Sequence, residues 1–293
     1  MKSLLLLAAA GCAADEHTVK RTIEVDGRER RYLLHVPPAA RGEKAAPLLL
    51  VLHGGGGSAK HTERFTKFSA LSDREGFLVA YPDAVAGHWN DGRGTFTDAD
   101  DVKFAEALID AVAKDHAVDP RRVYAAGASN GGIMSQYLAL KLSRRIAAIA
   151  CVIGSVAKPA AGLKPDAPVS VLIMNGTDDP LVPFDGGAVA RSRGEVIGTR
   201  DAVRLWVRAN GCREAPEVEE LPDADPKDGT RIVKETWPGG RGGSEVVLYT
   251  VKGGGHTWPG GSQYLAEALI GKTSRDLDAT SEIWKFLSHH ARE

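Results

Sequence analysis

Short aliphatic runs alternate along the chain with stretches of helical periodicity. The runs predict strands at residues 32–36, 48–53, 77–81, 122–126, 146–153, 169–175 and 246–251. The inner ones are almost wholly apolar, as expected of strands covered on both faces in a parallel sheet. Between them a 3.6-residue period fits helices at 63–71, 101–116, 131–142, 199–209 and 279–290. In the segment 101–116, Val102, Ala105, Leu108, Ile109 and Val112 mark one apolar face. Strands alternating with helices, joined by right-handed crossovers, predict an α/β fold with a mostly parallel, doubly wound sheet flanked by helices. The Pro-, Gly- and acid-rich stretch 213–243 reads as a surface excursion with room for a short hairpin.

Composition narrows the function classes. The 293 residues carry 37 basic and 38 acidic side chains, for a net charge of −1, and 43% of them are hydrophobic. That balance excludes disorder as the main state. It also disfavours a nucleic-acid partner, since no basic excess is available to displace phosphate counterions. The N-terminus has one basic residue, a short apolar run and then small residues, the pattern of a signal peptide over residues 1–11. Ala9-Ala10-Gly11-Cys12 resembles a bacterial lipobox, which makes Cys12 a candidate lipidated N-terminus. Plain secretion with cleavage at a nearby small residue is the alternative. Residues 12–20 then form a short tether and 21–293 a single catalytic domain. Any membrane association is expected only through the lipid.

Cys151 and Cys212 remain. An exported chain can oxidise them to a disulfide, while the apolar surroundings of Cys151 equally suit a packed thiol. They are too few for a structural zinc site, and no His-x-x-x-His pair accompanies them, so neither metal nor cofactor is expected. Asp98, Asp100 and Asp101 read as negative charge at a helix N-terminus rather than a cation site. His289 and His290 read as solvated.

Four motifs carry chemistry, each at the end of a different expected strand. Gly127-Ala128-Ser129-Asn130-Gly131 lies between a strand and a helix, the placement of a nucleophile elbow. His53-Gly54-Gly55-Gly56-Gly57 follows an earlier strand, where a backbone N–H can serve an oxyanion hole. The candidate donors are Gly55 and Asn130, the residue after the serine. Asp179, preferred over Asp178, follows the strand ending at 175, and His256 follows three glycines after the strand ending at 251. The order Ser129, Asp179, His256 is that of an α/β-hydrolase triad.

These residues, with Phe184-Asp185-Gly186-Gly187, resemble the polyhydroxybutyrate depolymerase family of secreted esterases, related to feruloyl and acetylxylan esterases. The resemblance runs from about Arg21 to Phe286. It implies an α/β-hydrolase fold, with Ser129 as nucleophile, Asp179 as orienting acid and His256 as base. Such enzymes release an acid through an acyl-enzyme. Cap domains in this fold usually enter after the sixth strand. Here residues 153–169 leave room only for a short loop, so no large cap and an open cleft are expected. Trp258, Trp89 and Tyr81 are candidates for lining it, with core or turn packing as the alternative. An open cleft suits a polyester, its oligomers or a bulky sugar ester, and such a small-molecule or polymeric ester is the expected partner, with the oligomeric state left open.

Overall fold

The computed structural model describes residues 17–293. The expected signal peptide, Cys12 and most of the tether lie outside the described residues. Among the described residues ten strands form one sheet: β1 (Thr18–Val25), β2 (Arg28–His35), β3 (Ala46–Leu52), β4 (Leu78–Pro82), β5 (Val118–Ala128), β6 (Ala148–Val152), β7 (Ser170–Gly176), β10 (Glu217–Glu220), β11 (Arg231–Trp237) and β12 (Val246–Lys252). Two short strands, β8 (Gly187–Ala188) and β9 (Glu195–Val196), pair separately. The spatial order is β1-β2-β4-β3-β5-β6-β7-β12-β11-β10. The six strands from β4 to β12 in that order run parallel, and the outer pairs at each edge are antiparallel.

Seven helices accompany them among the described residues: α1 (Ala59–Thr66), α2 (Phe68–Glu75), α3 (Asp101–Asp115), α4 (Asn130–Lys141), α5 (Thr199–Asn210), α6 (Glu267–Ile270) and α7 (Ala279–Ser288). No described helix is long and apolar enough to cross a membrane.

Period-two alternation sorts the core into two halves. Leu48, Leu50 and Leu52 of β3 face α3, α4 and α5 in one cluster. Leu49 and Val51 face the other, which holds Phe68 of α2 and Trp284 of α7. Trp284 stacks on Phe77 with ring centroids 3.6 Å apart. This is the three-layer α/β-hydrolase arrangement, and the central strands match the apolar runs closely.

The differences from expectation have local causes. The expected helix 63–71 is two helices, because Lys67 takes a left-handed conformation with φ 57°. The break sends Phe68 into the core and leaves Phe65 half-buried on the other side of the kink. Strand β1 starts at Thr18, so the expected tether boundary at residue 20 falls inside the sheet. The excursion 213–243 does hold the expected hairpin, β10 paired antiparallel with β11, and that hairpin goes on to extend the main sheet through β12. Cys151 and Cys212 are both buried and free, so no disulfide joins them. His290 is half-buried rather than solvated, with Nε2 3.3 Å from Glu245.

Each of the three acidic residues near α3 has an assigned partner. Asp100 caps the helix, accepting from the Lys103 N–H at 2.9 Å. Asp98 pairs with Arg28. Asp101 is buried, accepting from Arg30 at 2.5 Å and from the Asn90 N–H at 2.7 Å. Its carboxylate thereby joins α3, β2 and the loop that follows β4. Arg30 lies 3.8 Å over the Phe104 ring and is itself buried. Asp101→Ala leaves that guanidinium buried and unpaired, a change that typically costs about 3–5 kcal/mol. The expected result is a lower guanidinium chloride midpoint with an unchanged slope.

Candidate active site

Sheet order decides which loops meet. β3 and β5 are neighbours, with Leu52 opposite Gly127. Their following loops therefore lie side by side, one carrying Gly54 and Gly55 and the other Ser129. β7 and β12 are also neighbours, with Gly176 opposite Val251, so the loops carrying Asp179 and His256 leave the sheet together.

The turn from β5 into α4 is strained. Ser129 has φ 57° and ψ −121°, outside the regions favoured by L-residues. Its N–H donates to Val152 O at 2.9 Å, which ties the turn to β6. Close packing makes glycine obligatory beside it. A methyl group at Gly131 would lie 2.3 Å from Leu52 O, and one at Gly127 would lie 2.4 Å from Gly131 C.

Asp179 is buried. Its Oδ1 accepts the N–H groups of Leu181 and Val182 at 2.8 and 2.9 Å, and its Oδ2 lies 2.7 Å from His256 Nδ1. Asp178 is exposed and bonds Thr177 instead. The His256 loop is fastened by its own N–H to Ile270 O and by Tyr264, whose hydroxyl donates to His256 O at 2.8 Å. Burial pushes the Tyr264 phenol up to about 12, so it stays a donor at neutral pH. A methyl at Gly255 would lie 2.1 Å from Ile270 O, which explains a glycine directly before the histidine.

Ser129 and His256 both face a cavity of about 570 Å³. The Ser129 hydroxyl has no hydrogen-bond partner among the described residues, so the ring and the hydroxyl share the cavity without a direct bond. Gly55 and Asn130 line the same cavity, and a methyl at Gly55 would lie 3.8 Å from Asn130 Cβ. The N–H groups of Gly56 and Gly57 are used by Gly87 O and Gly54 O. Those of Gly55 and Asn130 have no partner among the described residues, and the latter sits at the positive end of α4.

Behind these donors lies a polar network that the motifs do not reveal. The Asn130 side chain accepts from the Trp89 N–H at 2.8 Å and donates to Asp91 Oδ2 at 2.6 Å. Asp91 also takes the Arg93 guanidinium, with Nη2 to Oδ2 at 2.6 Å, and all three side chains are buried. His53 Nδ1–H donates to Gly54 O at 2.7 Å while Nε2 accepts from the Ala84 N–H at 3.0 Å. Burial pushes this imidazole below its ordinary range, consistent with a neutral ring locked in one tautomer. His53 opens a motif that drew attention only to its glycines. Asp91 and Arg93 gave no signal, because their partner Asn130 is 39 residues away from Asp91.

The three aromatic candidates are corrected. Trp258, Trp89 and Tyr81 are all buried, and none lines the cavity. Trp89 lies tilted against His53 with ring centroids 4.8 Å apart and donates its indole N–H to His53 O, so it supports the glycine loop from behind. Trp258 packs edge-on to Phe65 and Phe68 and bonds Thr280. Tyr81 lies inside the sheet, its hydroxyl 3.0 Å from Ser69 Oγ. The cavity rim is built instead from Phe65, Phe96, Tyr264 and Leu265. The β6–β7 connection is short, as expected. Val189, Ala190 and Arg193, which follow β7, supply part of the wall.

Gly131→Ala forces the elbow away from β3. The expected outcome is a loss of at least about 2 kcal/mol in unfolding free energy, together with loss of esterase activity in whatever protein remains folded.

Known proteins resemble this chain in sequence and in fold. A family model described as "Esterase PHB depolymerase" matches residues 30–195, a span that includes Ser129 and Asp179. A protein of Nocardia uniformis subsp. tsuyamanensis named "Putative esterase NocK" is 38% identical over 94% of this chain and 83% of its own. Feruloyl esterase B of Piromyces equi is 34% identical over 78% of this chain, but the match spans only 42% of that longer protein. Among solved structures, an acetyl xylan esterase from Aspergillus awamori superposes with a TM-score of 0.56 at 13% identity, covering 79% of this chain and 92% of that one. A thermostable esterase superposes with a TM-score of 0.60 at 14% identity, covering 95% of this chain and 64% of the other, and shares the fold. The chain belongs to the polyhydroxybutyrate depolymerase family of esterases and is a carboxylic ester hydrolase of the α/β-hydrolase type.

Proposed function

We propose that the chain is an exported serine esterase that uses Ser129, His256 and Asp179 and acts on polyhydroxyalkanoate-type esters and their oligomers. The observation that carries this reading is the 2.7 Å Asp179–His256 pair opening onto the cavity that also holds Ser129. In the first step His256 takes the hydroxyl proton as Ser129 attacks the ester carbonyl. Asp179 accepts from Nδ1–H, which leaves Nε2 as the base and stabilises the imidazolium that forms. Catalytic hydrogen bonds often tighten only when substrate is bound, so the serine–histidine contact belongs to that complex. The Asn130 and Gly55 N–H groups hold the oxyanion, and the Asn130–Asp91–Arg93 network keeps Asn130 from shifting as charge develops. The alcohol leaves with the proton from His256, and water then repeats the sequence on the acyl-enzyme.

Export rests on the N-terminal sequence, with lipidation at Cys12 as its membrane-anchored form. The substrate class rests on the apolar rim. Tyr264 is 40% exposed and Leu265 50% exposed, beside Phe65, whose ring meets Tyr264 edge-on at 5.7 Å. Such a rim suits a methyl-bearing polyester segment. A second reading, a feruloyl ester, is favoured by the stacked His88–Phe96 pair, with centroids 4.3 Å apart, across the same opening.

Ser129→Ala abolishes turnover of p-nitrophenyl acetate and butyrate and labelling by a fluorophosphonate, with an unchanged circular dichroism spectrum. Wild-type rates in that variant refute the triad. Asp179→Asn lowers kcat by a factor on the order of 10⁴, measured by steady-state kinetics. A panel of hydroxybutyrate oligomers, methyl ferulate and acetylated xylan separates the two substrate readings, and cleavage of the ferulate alone removes the polyester one.

A further inference from the structure

On either side of the glycine motif in sequence, His17, His35 and Asp73 converge where β1 and β2 meet α2. Their ligand atoms all lie within 4.8 Å of one another. His35 Nε2 is 3.1 Å and His17 Nδ1 is 3.3 Å from the same oxygen, Asp73 Oδ1. Ligand atoms in a tetrahedral zinc site with bonds of about 2.0–2.1 Å stand about 3.3 Å apart, so the spacing is that of a metal's coordination edge.

The proton inventory points the same way. The Thr18 hydroxyl donates to Glu63 Oε1 at 2.8 Å, so its oxygen accepts from His35 Nδ1–H, also at 2.8 Å. The proton of a neutral His35 is therefore on Nδ1. Nε2 then faces a carboxylate oxygen, an arrangement satisfied by a proton on Nε2 or by a metal ion between them. The chain Nδ1–H to Thr18 to Glu63 is also the kind of outer contact that orients a metal-bound imidazole and raises its basicity. His35 is fully buried and fixed, whereas the side chains of His17 and Asp73 are 28% and 38% exposed, which leaves a route for an ion to enter.

We propose that His17, His35 and Asp73 form a binding site for a divalent transition-metal ion of the Zn²⁺ class, with water completing the coordination. Two imidazoles and one carboxylate suit zinc better than calcium or magnesium, which prefer oxygen donors. The ion ties the β1–β2 edge to α2, and through Glu63 to α1. It is a structural clamp, separate from the ester-cleaving residues, and does not depend on their assignment.

The test uses the tag-free full chain, stripped with a chelator. Titration with Zn²⁺ in a calorimeter gives one equivalent bound at micromolar or tighter affinity, and the thermal midpoint rises. Co²⁺ in place of Zn²⁺ produces the visible absorption of a four-coordinate site. Asp73→Asn, isosteric and part-exposed, weakens Zn²⁺ binding about tenfold or more and removes the Co²⁺ band, while p-nitrophenyl acetate turnover stays at the parent rate. His17→Gln gives the same pattern. The proposal is overturned if the stripped protein shows no stoichiometric Zn²⁺ binding. It is equally overturned if both variants bind as tightly as the parent, which would mean that the cluster is held by protons alone.

Discussion

Much of this molecule follows from how closely β3, β5 and α4 approach one another at Ser129. Residues held at such a conformation typically cost about 1–3 kcal/mol and persist only where surrounding structure over-determines them. Here the determinants are the contact of Gly131 with the end of β3, the packing of Gly127 on Gly131, and the bond from Ser129 N–H to β6. The same tight turn lifts the serine side chain out of the sheet edge and leaves the first N–H of α4 unused. A single steric constraint thus produces both an accessible hydroxyl and a donor beside it.

The parallel strands turn that local feature into a site. Their C-terminal ends share one edge, so each loop delivers its side chain to the same place. Adjacency then sets the pairs. The glycine loop stands over the elbow because β3 abuts β5, and aspartate meets histidine because β7 abuts β12. Rigidity comes from below: Trp89, His53, Asp91 and Arg93 form a buried polar floor whose bonds are satisfied, which favours one arrangement of the donors over many.

The central strands were legible because burial on both faces demands unbroken apolar runs, and the motif glycines were legible because only glycine tolerates those approaches. The edges were not. β1 reads Thr-Val-Lys-Arg-Thr-Ile-Glu-Val and β10 is exposed at all four positions, so neither carries an apolar signature. The kink at Lys67 is set by what the two helices pack against, which no local pattern encodes. Trp258, Trp89 and Tyr81 were misplaced for a related reason. Position at a strand end says that a side chain is near the site, but not whether it points into the cleft or under it. The Asp91–Arg93 pair is close in sequence, yet its meaning depends on Asn130 and appears only once β4 and β5 have folded together.

One contact at the cleft wall bears on how this architecture can change. Arg93, whose other bonds hold Asp91, reaches with Nη1 to the main-chain oxygen of Arg193 at 2.7 Å. The wall after β7 is thereby moored to the floor through a backbone atom rather than a side chain. The exposed positions of residues 187–196 can therefore diversify while one carbonyl still arrives at the same berth, with Val189 and Val196 kept in the core. Trading that segment reshapes the cavity wall without disturbing the turn that carries Ser129.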